Sequence, residues 1–155
     1  MQRIVTLIAE TAGLNWQISQ LGGGYLPTKP SKSLIARFEG CLMNDEPLFS
    51  VVIPVLNGGS AFAVCLAALR RSRFADWELI VVDDGSCDDS AEMAQSHGAT
   101  ILNTPQAGPA HARNVGAQAA RGRYLFFLDA DCEVHEDTLW KSAEILQADP
   151  SLDAL

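Results

Sequence analysis

Three acids stand at alternate positions in YLFFLDADCE, residues 124–133: Asp129, Asp131 and Glu133. Five largely apolar residues, Tyr124 to Leu128, lead into them and suit a core strand. Like charges this close repel, and each costs free energy unless a cation or a hydrogen-bond donor compensates it. A D-x-D at a strand end offers the oxygen ligands of a hard divalent cation. Mg²⁺ or Mn²⁺ commonly completes its shell with phosphate oxygens and water. The plainer alternative is that Asp129 caps the following turn and Asp131 is solvated.

A second acid group, in VVDDGSCDD (81–89), has a different logic. Gly85 permits a tight turn, and Ser86 and Asp88 can cap the element after it. A carboxylate here can accept a hydrogen bond from the N–H of a nucleobase, or the stretch is a simple strand–turn–helix cap. GPAHARNVG (108–116) adds Arg113, a permanent cation that suits either a diphosphate or a carboxylate of the acid edge. His111 reads as a partly exposed helix residue, and His97 and His135 sit in turn-like contexts without an evident role.

The elements that must position these groups are set by hydrophobic periodicity. FSVVIPVL (49–56) is a continuous β-branched run and reads as a buried strand. Residues 60–72 have helical spacing with Ser60 as a possible cap. WELIVVDD (77–84) is a second buried strand and 88–98 a helix closed by Gly98. ATILN (99–103) is a third strand, 108–122 an alanine-rich helix with Pro109 near its first turn, YLFFLDAD (124–131) a fourth strand, and 135–149 a fourth helix. Alternating strands and helices with short turns imply βαβ units and a parallel sheet. Ligands of such sheets sit outside the carboxyl ends of the strands, where both acid groups fall.

Residues 1–48 read as an irregular or weakly helical extension or linker, with the Gly/Pro/Ser-dense LGGGYLPTKPSKS at 21–33. Residues 49–155 form the regular region. After Pro150 the chain ends as a fifth strand would begin, at Leu152 to Leu155, so the domain is expected to be incomplete. The net charge of −8 arises entirely beyond residue 48, because four basic and four acidic residues cancel before it. An acidic surface argues against nucleic-acid binding. Four widely spaced cysteines without a CxxC pair indicate neither zinc nor a disulfide framework but reduced cytosolic thiols. The opening apolar run is too short for a signal or a membrane span.

SVVIPVLN, ELIVVDDGS, GPAHARNVG and RGRYLFFLDAD, in this order and spacing, resemble the family 2 glycosyltransferases, over about residues 49–149. The resemblance implies an α/β GT-A (Rossmann-like) fold with a mostly parallel sheet, flanking helices and a cut after the fourth βα unit. It implies an enzyme that transfers a sugar, with inversion, from a nucleotide-diphosphate-sugar donor to an acceptor hydroxyl, assisted by Mg²⁺ or Mn²⁺. The chain would be its donor-binding half, in cell-envelope polysaccharide or glycan biosynthesis. By the same resemblance Pro54, Val55 and Asn57 line the nucleotide pocket. Asp84 holds the base with Asp83 beside it, Arg113 faces the nucleotide, and Asp131 binds the metal with Asp129 supporting. A UDP-sugar is the expected donor and an unknown glycan or lipid the acceptor. The expected location is the cytoplasm, at the inner face of the membrane, with peripheral association through the full-length enzyme.

The family's general base and acceptor-binding half come after the D-x-D strand, so the base is expected beyond residue 155 and transfer by this chain alone is not expected. Two other classes gather acids at strand ends. A receiver-like Mg²⁺-binding regulatory domain has them after its first and third strands. A haloacid-dehalogenase-like phosphatase has its D-x-D after the first. Here they come after the second and fourth.

Overall fold

The computed structural model describes residues 3–6, 46–149 and 151–152. Strands and helices alternate from residue 49 onward. The elements are β1 (Arg3–Thr6), β2 (Phe49–Val55), α1 (Gly59–Arg70), β3 (Trp77–Asp83), α2 (Ser90–Ser96), β4 (Thr100–Asn103), α3 (Pro109–Ala119), β5 (Tyr124–Phe127) and α4 (Thr138–Ala148). The strands form one sheet in the order β1-β5-β2-β3-β4, and every neighbouring pair is parallel. The parallel architecture expected from the βαβ pattern is therefore present.

β2 is central and buried at all seven positions, as a strand covered on both faces must be. On one face Val52, Ile80, Val82 and Leu125 form a core with Ala112 and Ala120, joined by the half-buried Val115 and Ala117 of α3. Gly116 is what lets α3 lie this close. A Cβ there would stand 2.3 Å from Val52 Cγ1. On the other face the Phe49 ring meets Phe126 at 6.2 Å and Phe74 at 5.7 Å, and Phe74 meets Trp140 of α4 at 6.1 Å. These separations suit edge-to-face aromatic packing.

The carboxyl edge owes its shape to Pro54. Val52 O accepts from Leu128 N, so the even residues of β2 turn their polar backbone atoms toward β5. Pro54 has no N–H to give on that side. The β2–β5 register accordingly stops at Val52↔Phe127. β5 ends four residues earlier than the stretch YLFFLDAD suggests, and Asp129 and Asp131 leave the sheet in a turn closed by Cys132 N on Asp129 O.

Two expectations need correction. The lead before residue 49 is not wholly irregular or helical. Arg3–Thr6 is a strand paired with Tyr124–Phe127, in keeping with its β-branched run Ile4-Val5-Thr6. Residues 1–2 and 7–45 of that lead lie outside the described residues. Ser60 does not cap α1, whose N-cap is Gly58 with no side-chain cap bond. The expected strand at 152–155 lies outside the described residues except for Leu152, which is in a turn with its N–H on Asp149 O.

Candidate functional site

The acids after β5 are compensated unequally. Asp129 Oδ1 takes a hydrogen bond from Arg113 Nη2 of α3 at 2.5 Å, within an ion pair that is one-third to one-half exposed. Glu133 pairs with Arg71, just past α1, at 2.8 Å. Asp131 is exposed and has no basic partner among the described residues. Of the three acids, Asp131 is the one without an ion-pair partner among the described residues.

Asp129, Asp131 and Cys132 bring one donor atom each to within 4.8 Å of one another. Two carboxylates at that spacing fit a hard divalent cation, whose remaining ligands would come from phosphate and water. The Cys132 thiol, nearly buried, approaches Asp131 Oδ1 at 3.8 Å. Cys65 of α1 backs the turn, with Sγ 3.7 Å from Asp129 O. Burial pushes the Cys65 thiol up to about 12, helped by Cys132 and by the two acids, so it stays protonated and inert. No disulfide links Cys65, Cys87 or Cys132.

Asp84 lies just after β3 and is nearly buried. Its Oδ1 accepts from Thr104 Oγ1 at 2.5 Å and from Ala107 N at 2.8 Å, and its Oδ2 accepts from Gly108 N at 2.7 Å. The Thr104 hydroxyl, with the two N–H groups, holds its carboxyl below the usual carboxylate range. A carboxylate has about four acceptor positions, and three are used. Oδ2 accepts one of these bonds and Oδ1 two. Asp83, also buried, accepts from Ser86 N at 2.8 Å across the turn that Gly85 makes at φ +88°.

The β2–α1 loop is sewn to the β3–α2 loop. Asn57, at φ +51°, gives its N–H to Ser86 Oγ and takes Cys87 N on its Oδ1 at 2.7 Å. Gly58 N binds Ser90 Oγ, and Gly59 N binds Asp88 Oδ2. Asp88 Oδ1 also takes Ser90 N, so one carboxylate closes the starts of two helices.

The expected site residues thus gather at one edge, with different duties. Val55 of β2 stands in register with Asp83. Pro54 and Val55 are buried in the sheet, and in that stretch Leu56 and Asn57 are the exposed residues. Asn57 uses its amide oxygen on the neighbouring loop. Arg113 stands on Asp129, one of the two partners its sequence context left open. Thr104, Ala107, Gly108 and Cys132 join the site without a sequence signal of their own, except that Thr104 comes directly after β4 at the same carboxyl edge. A cleft of about 360 Å³ lies beside Arg71, Glu133, Val134, His135 and Glu136. Its charged groups are already engaged, Arg71 with Glu133 and Glu136 with Arg73, and none of the aspartates named above lines it.

Comparison with known proteins gives a concordant picture. The family model for glycosyl transferase family 2 matches residues 50–154. An uncharacterised glycosyltransferase, YibD of Escherichia coli K12, is 33% identical over 117 residues, covering 72% of this chain and 34% of its own length. Glycosyltransferase GlyG of Streptococcus pneumoniae is 33% identical over 111 residues, covering 66% and 37%. The chain therefore spans about a third of the length of these relatives. Among solved structures, S. aureus TarS in complex with UDP-GlcNAc superposes with a TM-score of 0.62 at 26% identity, over 64% of this chain and 31% of that one. A mannosyltransferase of Pyrobaculum calidifontis, in complex with GDP-Man and Mn²⁺, shares the fold with a TM-score of 0.63 at 23% identity, over 76% and 39%.

Proposed function

Because the chain belongs to glycosyl transferase family 2, we propose that it forms the donor-binding part of an enzyme that transfers a sugar from a nucleotide-diphosphate sugar to an acceptor hydroxyl. The observation that carries this reading is the exposed, uncompensated Asp131 beside Asp129, at the same sheet edge as Asp84. An apolar strand that opens onto an unmet charge makes physical sense when a cation occupies the spot.

In this reading Asp131, with Asp129, holds Mg²⁺ or Mn²⁺ against the donor's diphosphate. When bound, the cation offsets charge on the departing nucleoside diphosphate. The remaining acceptor position of Asp84 takes the base N–H. The likeness to TarS with UDP-GlcNAc supports a UDP-sugar as donor. Transfer with inversion requires a carboxylate to take the acceptor's proton, and none of the acids described above is assigned that role. Among the described residues no helix is long and apolar enough to cross a membrane. Action at the inner face of a membrane would come through association of the whole enzyme.

Calorimetric titration of UDP with Mn²⁺ tests the division of roles. Asp131→Ala should weaken UDP binding by about tenfold or more, as loss of metal support does, and EDTA should do the same to the native chain. Asp84→Ala should weaken uridine as well as UDP, whereas Asp131→Ala should spare uridine. Unchanged UDP titrations for Asp131→Ala would refute the metal assignment. Loss of UDP alone in both variants would refute the base assignment.

A further inference from the structure

Arg113 raises a question that the metal reading does not answer. It sits on Asp129, one of the carboxylates assigned to the cation. With that pair formed, the D-x-D offers a divalent ion a net charge of about one rather than two, and cation affinity in oxygen sites depends on the count of ligand charges. A guanidinium inside the same cluster also repels the incoming ion.

We propose that Arg113 is a positioning residue that keeps Asp129 from a metal ion until a diphosphate arrives. The inference rests on the preceding reading of the D-x-D as the metal site. A diphosphate is a better partner than one carboxylate for a planar five-donor fork, because it offers oxygens of higher charge in bidentate geometry. Its arrival draws the guanidinium away, releases Asp129 to the cation and brings phosphate ligands of its own. Metal and diphosphate then bind together far better than the metal binds alone.

The structure provides the means for such an exchange. The backbone under Arg113 is held on both sides. Ala107 N and Gly108 N, at the start of α3, are fixed on Asp84, and Gly116 is seated against Val52 and Val82. The Arg113 side chain itself is one-third exposed, so its guanidinium has solvent to swing through. Asp129 is held by its own backbone, with Cys132 N and Cys65 Sγ on its carbonyl oxygen, while its side chain is nearly half exposed. The charge exchange therefore needs two side-chain rotations and no movement of the sheet.

The test is Mn²⁺ binding by the 155-residue chain, read from the electron paramagnetic resonance of free Mn²⁺, with and without inorganic pyrophosphate as a base-independent probe. Removing Arg113 has effects of opposite sign. Arg113→Met should bind Mn²⁺ alone about fivefold more tightly, the scale of an exposed ion pair. It should bind preformed Mn²⁺–pyrophosphate about tenfold more weakly, through loss of a charge-assisted bidentate contact. Arg113→Lys, which keeps the charge, should return Mn²⁺ affinity to near the native value. Should Arg113→Met fail to fold, Arg113→Gln makes the same comparison. A residue that merely supports the fold or orients Asp129 would lose both affinities together, and that result overturns the proposal. Asp131→Asn separates the two levels. If it leaves native Mn²⁺ binding unchanged, the metal reading fails. If it abolishes binding while Arg113→Met weakens Mn²⁺, only the present inference fails.

Discussion

Replacing Gly116 by alanine should destabilise the chain even though alanine is the better helix former. An added Cβ would lie 2.3 Å from Val52 Cγ1 and 3.1 Å from Val82 Cγ2, where ordinary contacts begin at 3.4 Å. Something must move by about 1 Å. Val52 is fully buried in the central strand, and a β-branched side chain there has few rotamers to retreat into. The helix must lift instead. Overpacking of this kind costs about 1–3 kcal/mol, and the helix-propensity gain of Gly→Ala returns about 1 kcal/mol. The net loss is then up to about 2 kcal/mol by urea denaturation. Val52→Ala alone should cost about 1–3 kcal/mol through lost burial and a cavity. In the double variant the new methyl fills the space that Val52 vacated, so its cost should fall short of the sum by more than about 1 kcal/mol. Because α3 carries Arg113, Gly116→Ala should also weaken Mn²⁺–pyrophosphate binding. Equal or greater stability for Gly116→Ala, or additive costs in the double variant, would show that the close approach of α3 is not under steric constraint.

The turns carry further expected outcomes. Asp84 has a lowered pKa in the fold, so its contribution to stability is complete above the ordinary carboxylate value of about 3.9 and is lost as pH falls through the folded value. Thr104→Val removes the largest cause of that lowering. The folded value then moves up, and the acid-unfolding midpoint measured by circular dichroism should move to higher pH. An unchanged midpoint would mean that the Thr104 hydroxyl does not hold Asp84. Gly122→Ala should be worse than Gly116→Ala, because its Cβ would meet backbone, Ser50 N at 2.5 Å and Phe49 C at 2.7 Å, which cannot rotate aside. A loss of about 3 kcal/mol in urea denaturation is expected. A cost equal to or below that of Gly116→Ala would mean that the α3–β5 connection adjusts freely.

Much of the fold is legible in the sequence because its signals are local. The β-branched runs at 49–55 and 77–83 are buried along most of their length, and such runs have few uses besides central parallel strands. Gly98 after α2, at φ +77°, and Pro109 at the start of α3 punctuate the helices as their residue types dictate. Strand β1 carries only the short β-branched run Ile4-Val5-Thr6 as a signal, and its place in the sheet is not legible. Four residues, Arg3–Thr6, gain their identity by pairing with Tyr124–Phe127 more than a hundred positions away, and no local pattern encodes that partner. The early end of β5 is likewise written in another strand, through the missing donor of Pro54.

The site divides along the same line, and for a reason that reaches its chemistry. Which residue types collect at the carboxyl edge is decided by strand direction, so Asp83, Asp84, Asp129 and Asp131 can be named from sequence. Which charge meets which is decided by how helices dock, and that depends on contacts such as Gly116 on Val52. Arg113 reaches Asp129 across sixteen positions, and Arg71 reaches Glu133 across sixty-two. Asp84 takes its three donors from the turn at 104–108, at least twenty positions on. Each of these bonds engages a group that the sequence offered to a ligand, and Asp131 is the one acid of its cluster without a cation among the described residues. The proposed metal site is therefore defined as much by the pairs formed around it as by its own two carboxylates. A change in helix docking would alter its charge without touching either aspartate.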